Sequence, residues 1–177
     1  MSEKTSVALI GFMGVGKSTV AAQLAERLGK RLVATDTLIV KKSGKSIPEI
    51  FREDGEIAFR EMEIEVVKEL AGQPGLIIDC GGGVVLNRIN IDRLREQAVI
   101  IWLTTTVEVI LKRIKPAGDD RPLLHGKRTI SDIKTLLDFR LPFYQRAADI
   151  VIDTSELDLN QVIEIILKKL KEDADFN

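Results

Sequence analysis

The strongest constraint on this chain is a glycine-spaced segment that separates an apolar run from a helical pattern. Residues 11–18 read Gly-x-x-x-x-Gly-Lys-Ser, directly after the apolar run 7–10 and at the start of an amphipathic stretch over 17–29. In such a turn, glycines allow backbone N–H groups to surround a phosphate, and the helix N-terminus adds partial positive charge. The sequence therefore predicts a strand, a phosphate-binding loop and a helix, in that order. The alternative is a glycine-rich turn that binds no ligand.

The side chains of this loop suit a nucleotide triphosphate and its metal ion. In such loops the lysine, here Lys17, reaches the β- and γ-phosphate oxygens, and the serine, here Ser18, binds Mg²⁺ through its hydroxyl. We therefore predict a phosphotransferase that uses ATP with Mg²⁺ as cofactor. The residues expected to bind ATP are Gly14, Val15, Gly16, Lys17, Ser18 and Thr19.

Short apolar runs alternate with helical patterns along the chain. The runs lack polar alternation, as strands buried on both faces do, and lie at 7–10, 31–34, 76–80, 99–103 and 150–152. The helical patterns lie at 17–29, 36–43, 47–53, 55–72, 88–97, 106–114, 129–147 and 157–172. This alternation predicts a three-layer α/β fold: a five-stranded parallel sheet with helices on both faces. We expect one domain over residues 1–177.

Charge and apolar run lengths narrow the range of partners. The chain has 26 Lys and Arg against 27 Asp and Glu, a formal charge of −1. Nucleic-acid binders usually carry a basic excess, so we expect no nucleic-acid partner. The first apolar run stops at Gly11 and is too short for a signal peptide or a membrane span. We therefore expect a cytoplasmic protein with no membrane partner.

Ordered motifs over residues 11–144 resemble the shikimate kinase family. They are Gly-Phe-Met-Gly at 11–14, Asp36, Gly-Lys-Ser-Ile-Pro-Glu-Ile-Phe at 44–51, Gly-Glu-x-x-Phe-Arg-x-x-Glu at 55–63, Gly-Gly-Gly at 81–83, Arg-Pro-Leu-Leu at 121–124 and Arg-x-Pro-x-Tyr at 140–144. The resemblance implies a P-loop kinase that phosphorylates the 3-hydroxyl of shikimate in aromatic amino-acid biosynthesis. It implies an acceptor-binding flap at 36–70, with ATP and shikimate as partners. The segment 115–128 is rich in Pro and Gly and too polar for the core, so we predict that it is a mobile lid. We expect a monomer.

Two arginines are the candidates for binding the acceptor's carboxylate. Guanidinium groups bind carboxylates bidentately and keep their charge at any working pH, so we assign Arg60 and Arg140 to this task. Glu63 lies three residues after Arg60 in a predicted helix, a spacing that lets it orient the Arg60 guanidinium. The alternative for this pair is a solvated helical ion pair.

The remaining acceptor-side residues follow the second and third predicted strands. Asp36 lies where open α/β sheets bind ligands, and the resemblance implies that it is the catalytic base; the alternative is a helix N-cap. Gly81 and Gly82 offer a backbone that a substrate can approach closely, and the resemblance places Gly82 against the acceptor; the alternative is a simple turn.

Arg121 lies in the predicted lid and resembles the family's lid arginine, which binds ATP and stabilises the transferring phosphate. The alternative is that its segment is an ordinary surface loop.

The chain departs from the family pattern at its acidic residues. The family usually has Asp-x-Asp after the second strand, whereas here Ala34 takes the place of the first acid, which normally helps hold Mg²⁺. Asp79 ends the third apolar run and so resembles a Walker B aspartate, and we predict that it binds the metal together with Ser18. The alternative is that Asp79 caps a strand end or meets an arginine. The usual adenine-packing arginine after the last strand is also missing.

Two other functions fit parts of this pattern. One is a kinase of another small hydroxylated acid, such as gluconate, because both arginines indicate a carboxylate but not its skeleton. The other is a nucleotide-binding regulatory module without transfer activity, which the loss of an acid at Ala34 suggests. The presence of Lys17, Asp36 and Arg121 favours a working kinase over this second alternative.

Overall fold

The computed structural model describes residues 4–114 and 129–176, which form an open sheet between two layers of helices. Five parallel strands pair in the order β2-β3-β1-β4-β5 within these residues. The strands are β1 (Ser6–Ile10), β2 (Arg31–Ala34), β3 (Leu76–Asp79), β4 (Ala98–Thr104) and β5 (Ile150–Asp153). The predicted three-layer α/β fold with a five-stranded parallel sheet is confirmed.

The described part of the chain also has eight α-helices and one short 3-10 helix, which connect the strands or, for the last helix, follow β5. The α-helices are α1 (Lys17–Leu28), α2 (Thr35–Ser43), α3 (Ile47–Glu53), α4 (Gly55–Ala71), α5 (Arg88–Leu94), α6 (Val107–Ile114), α7 (Ile130–Ala147) and α8 (Leu159–Glu172). Helix α8 begins two residues later than predicted because Asp158 is its N-cap and forms a reciprocal capping box with Gln161. None of the described helices is long and apolar enough to cross a membrane.

Strand β1 shows why the central strands carry no polar alternation. The edge strands β2 and β5 differ from the expected burial on both faces, because each has a neighbouring strand on one side only and is partly exposed. All five of its residues are buried, and successive side chains enter opposite core layers. Val7 and Leu9 pack with residues of α1, α6 and α8, whereas Ala8 and Ile10 pack with residues of α2, α3, α4 and α5. Full burial of a Val, Leu or Ile side chain contributes about 1.5–3 kcal/mol, so both faces of this central strand stabilise the fold.

The strand order brings the carboxyl ends of β2, β3 and β1 side by side. Asp79 at the end of β3 pairs in register with Ala34 of β2 on one side and Leu9 of β1 on the other. The chain leaves β1 into the phosphate-binding loop and leaves β2 directly into α2, which carries Asp36. The sequence therefore builds a site at this edge of the sheet, where open α/β sheets bind ligands.

The predicted acceptor-binding flap lies within the described residues. Helices α2, α3 and α4 cover most of the predicted flap 36–70 and pack on the same face of the sheet. The predicted lid 115–128, with Arg121, lies outside the described residues.

Candidate active site

The loop between β1 and α1 has the backbone that phosphate binding needs. Gly16 is the N-cap of α1 with a left-handed φ of 96°, and a Cβ on Gly11 would collide with the Leu103 carbonyl oxygen. No side chain of the described residues caps the N-terminus of α1. Its first backbone N–H groups, which have no intrahelical acceptors, therefore stay available to an anion.

Lys17 lies over this loop. Its Nζ donates hydrogen bonds to the carbonyl oxygens of Gly11 at 2.9 Å and Phe12 at 3.1 Å. Of the other residues predicted to bind ATP, Gly14, Gly16, Ser18 and Thr19 line the cleft with Lys17. Val15 is buried, so its side chain packs in the core. Five of the six residues predicted to bind ATP therefore line the cleft, and the side chain of the sixth packs in the core. Their binding of ATP stays a prediction.

Arg113 is a cleft-lining residue that the sequence analysis missed. It lies near the end of α6, and its Nη1 donates to the carbonyl oxygen of Val15 at 3.0 Å and of Gly14 at 3.4 Å. These bonds tie α6 to the phosphate-binding loop and place a positive charge beside it. The one available signal was that α6 follows β4, which pairs with β1 and ends at the same edge of the sheet.

Ser18 and Asp79 meet at the ends of α1 and β3. The Ser18 hydroxyl donates to Asp79 Oδ2 at 2.6 Å, so the two predicted metal-binding residues are adjacent. Because Ala34 is the register partner of Asp79 on β2, the carboxylate of β3 stands one strand away from the position where the family has its acid.

Arg60 and Glu63 form the ion pair that their spacing predicts. Arg60 Nη1 donates to Glu63 Oε2 at 3.0 Å, while Nε and Nη2 donate to Glu56 Oε1 at 3.3 and 3.1 Å. The side chain of Glu63 is fully buried and that of Arg60 is 13% exposed, so the alternative of a solvated ion pair is wrong. Burial raises the pKa of Glu63 to about 7, although the Arg60 charge acts in the opposite direction.

Arg140 and Tyr144 lie one turn apart on α7 and bond to the same backbone oxygen. The Gly82 carbonyl accepts from the Tyr144 hydroxyl at 2.6 Å and from Arg140 Nη1 at 3.4 Å. Burial raises the pKa of Tyr144 to about 12, which keeps its hydroxyl protonated as a donor. Its ring stacks on Trp102 with centroids 5.6 Å apart. Tyr144 had no role predicted from the sequence, because no motif spacing indicates a contact between α7 and the glycines.

Two buried polar atoms of this cluster have no hydrogen-bond partner among the described residues. They are Glu63 Oε1 and Arg140 Nε, and both residues line the cleft. Buried polar groups are nearly always hydrogen-bonded in native proteins. One unpaired acceptor and one unpaired donor therefore suit a polar ligand that carries both hydroxyl and carboxylate groups.

Asp36 lies in the first turn of α2. The helix begins at Thr35 with Ala34 as its N-cap, so the alternative reading of Asp36 as an N-cap is wrong. A Cβ placed on Gly81 would lie 2.7 Å from Asp36 Oδ1 and 3.2 Å from Glu63 Oε1. Two carboxylates therefore meet over Gly81, where only a glycine leaves them room.

Most of these groups line one cleft of about 720 Å³. Its lining combines the phosphate-binding loop at one end with Asp36, Arg60, Glu63, Gly81, Gly82 and Arg140 at the other. The structure thus brings together every predicted site residue except Val15, which packs in the core, and Arg121, which lies outside the described residues. Chemically, the cleft offers an anion-binding loop beside a carboxylate, the buried guanidinium of Arg140 and the mostly covered guanidinium of Arg60, which suits phosphate transfer to an acidic acceptor.

Known proteins resemble this chain over nearly its full length. The shikimate kinase family model matches residues 13–171. A shikimate kinase from Dehalococcoides mccartyi is 45% identical over 172 residues, with 97% of each chain covered. A shikimate kinase from Acinetobacter baumannii, solved in complex with shikimate, has a TM-score of 0.89 at 32% identity, over 96% of this chain and 94% of that chain.

The fold is shared with a kinase of another acceptor. A gluconokinase from Sinorhizobium meliloti has a TM-score of 0.67 at 19% identity, over 97% of this chain and 94% of that chain. Identity this low shows the fold alone and does not favour gluconate as the acceptor. The match to the family model and the identity with full-length relatives establish instead that the chain belongs to the shikimate kinase family.

Proposed function

We propose that this family member transfers the γ-phosphate of ATP to the 3-hydroxyl of shikimate and uses Asp36 as the base. The observation that carries the assignment of roles is that one cleft of about 720 Å³ is lined by both the phosphate-binding loop and the two arginines Arg60 and Arg140. A site with these two ends can bind a nucleotide and a small carboxylate side by side. The monomeric state and the cytoplasmic location stay predictions.

Acceptor binding is assigned to the residues at the buried end of the cleft. Arg60 and Arg140 bind the shikimate carboxylate, and Glu63 orients Arg60 through their 3.0 Å ion pair. The low exposure of both arginines strengthens a charge-assisted hydrogen bond, because little water competes for either partner. Gly82, whose carbonyl is held by Tyr144, presents its backbone to the acceptor ring.

Transfer itself is assigned to Asp36, Lys17 and Arg121. Asp36 accepts the proton of the 3-hydroxyl as that oxygen bonds to the γ-phosphorus and the bond to the bridging β-phosphate oxygen breaks. The products are shikimate 3-phosphate and ADP. Lys17 stabilises the negative charge on the β- and γ-oxygens, and Arg121 is proposed to do the same from the segment outside the described residues.

The residues at the ends of α1 and β3 fit Mg²⁺. Magnesium takes one or two carboxylates and fills its remaining positions with phosphate oxygens and water. The Ser18 hydroxyl and the Asp79 carboxylate, 2.6 Å apart, supply a donor set of this kind. Bound Mg²⁺ neutralises charge on the β- and γ-phosphates. The register pairing of Ala34 with Asp79 supports a carboxylate that has moved from β2 to β3.

The function as a whole is tested by measuring ADP release in a coupled assay with shikimate, with gluconate and with no acceptor. We expect shikimate alone to stimulate turnover strongly. Faster turnover with gluconate would identify another acid as the acceptor. Binding of ATP without turnover on either acid would favour the regulatory module.

Replacing Asp79 by asparagine is expected to raise the Mg²⁺ concentration needed for half-maximal activity and to weaken binding of Mn²⁺ in the presence of ADP. The reason is the loss of the charged ligand beside Ser18. Adding Ala34→Asp should partly restore both, because residue 34 is the register neighbour of residue 79. Metal binding is measured by electron paramagnetic resonance of Mn²⁺, independently of turnover. Wild-type metal affinity in Asp79→Asn would assign Asp79 a structural role only.

Replacing Arg60 or Arg140 by lysine is expected to weaken shikimate binding about 10- to 100-fold with little change in ATP affinity. Lysine keeps the charge but loses the planar pair of donors that matches a carboxylate. Arg146→Lys is a matched control, because Arg146 lies on the exposed surface of α7. Calorimetric titration with each ligand gives both affinities. An equal loss of shikimate and ATP affinity would assign the arginines to the fold rather than to the acceptor.

A further inference from the structure

The third glycine of the triple at 81–83 lies against the guanidinium group of Arg60. A Cβ placed on Gly83 would lie 2.5 Å from Arg60 Nη2 and 2.7 Å from Cζ, and would also overlap Nη1. Real Cβ atoms essentially never approach heavy atoms this closely, so a side chain at residue 83 displaces the guanidinium. The nearest atom to a Cβ on Gly82, by contrast, lies 3.6 Å away.

The backbone of Gly83 does not by itself require glycine. Its φ of −101° and ψ of 1° lie in a region that L-residues adopt. The conflict therefore arises from the space above its Cα and not from strain in the chain. The three atoms closest to the added Cβ all belong to the Arg60 guanidinium, so this group is the first that a side chain at residue 83 would meet.

Arg60 is held in this position from its other sides. Glu63 binds Nη1, Glu56 binds Nε and Nη2, and the Phe59 ring lies 5.1 Å from Cζ. A Cβ at residue 83 therefore cannot be accommodated without weakening at least one of these contacts. The group that must move is the end of a flexible side chain. We therefore expect the fold to persist and the guanidinium to shift.

We propose that Gly83 is a positioning residue for acceptor recognition: the missing side chain sets the place of the Arg60 guanidinium in the cleft. The inference rests on the proposed role of Arg60 in binding the shikimate carboxylate. Recognition of the acceptor's carboxylate by Arg60 then depends on residue 83, although residue 83 itself supplies no hydrogen-bonding side chain.

The test replaces Gly83 by alanine and compares it with a matched control. Gly72 has nearly the same backbone, with φ −82° and ψ −1°, and a Cβ there meets none of the described atoms within 4 Å. Gly83→Ala is expected to raise the KM for shikimate about 10- to 100-fold with the KM for ATP nearly unchanged, as for the loss of a charged hydrogen bond. Gly72→Ala should leave both constants unchanged.

A double-mutant comparison identifies Arg60 as the group through which Gly83 acts. In an Arg60→Ala background, Gly83→Ala should have no further effect on the KM for shikimate, because the displaced group is gone. The Arg60 Nε–H resonance in nitrogen-15 spectra should also shift in Gly83→Ala, whatever the enzyme's acceptor. An unchanged shikimate KM and an unchanged resonance, or an equal effect in both backgrounds, would overturn the proposal. Absent turnover of shikimate by the wild type would instead overturn the proposed function.

Discussion

Replacement of Lys17 by alanine is expected to lower turnover about 100- to 10,000-fold and to leave the fold intact. A cation aimed at the transferring phosphate typically contributes about 3–5 kcal/mol of transition-state stabilisation. Lys17 contacts the carbonyl oxygens of Gly11 and Phe12 in the loop, and its side chain lines the cleft instead of entering the core. The predicted loss therefore falls on the reaction and not on stability.

The measurement is steady-state turnover together with the thermal midpoint of unfolding. Lys168→Ala, on the exposed surface of α8, is the matched control and should behave as the wild type in both. Turnover of Lys17→Ala within about tenfold of the wild type would remove the lysine from the proposed mechanism. A fall in turnover that parallels a fall in the midpoint would show that the lysine acts through the loop's structure.

The fold could be predicted well from the sequence, because each strand and helix is determined largely by residues that are close together in the chain. Strands buried on both faces must be continuous apolar runs, and β1 and β4 are such runs. The spacing of Arg60 and Glu63 likewise predicted their ion pair, because residues three apart in a helix are neighbours. Secondary-structure elements and residue pairs that depend on one segment alone could thus be predicted from the sequence.

Contacts between segments that are distant in the chain were harder to predict from the sequence. No spacing rule places Arg113 on the phosphate-binding loop or the Tyr144 hydroxyl on the Gly82 carbonyl. The register of Ala34 against Asp79 follows from the pairing of β2 with β3, which the sequence does not specify by itself. The complete burial of Glu63, which decides against a solvated ion pair, is likewise a consequence of tertiary packing.

Replacement of Asp36 by asparagine is expected to lower kcat about 100- to 10,000-fold and to change the affinity for shikimate little. A positioned general base contributes this much to a proton transfer. Asparagine keeps the size of the side chain and can still hydrogen-bond to ring hydroxyls, but it cannot accept the proton of the 3-hydroxyl. The loss should therefore appear in kcat and not in the dissociation constant for shikimate.

Glu63 is the second carboxylate beside Gly81 and supplies the sharpest comparison for this experiment. Its Oε2 is engaged by Arg60, so Glu63→Gln should disturb the guanidinium and raise the KM for shikimate more than it lowers kcat. Asp138→Asn, on the exposed surface of α7, should change neither constant. If Glu63→Gln instead suppressed kcat while Asp36→Asn retained it, the base would be Glu63, whose pKa of about 7 in the ligand-free site would then place the rise of kcat/KM with pH near neutrality.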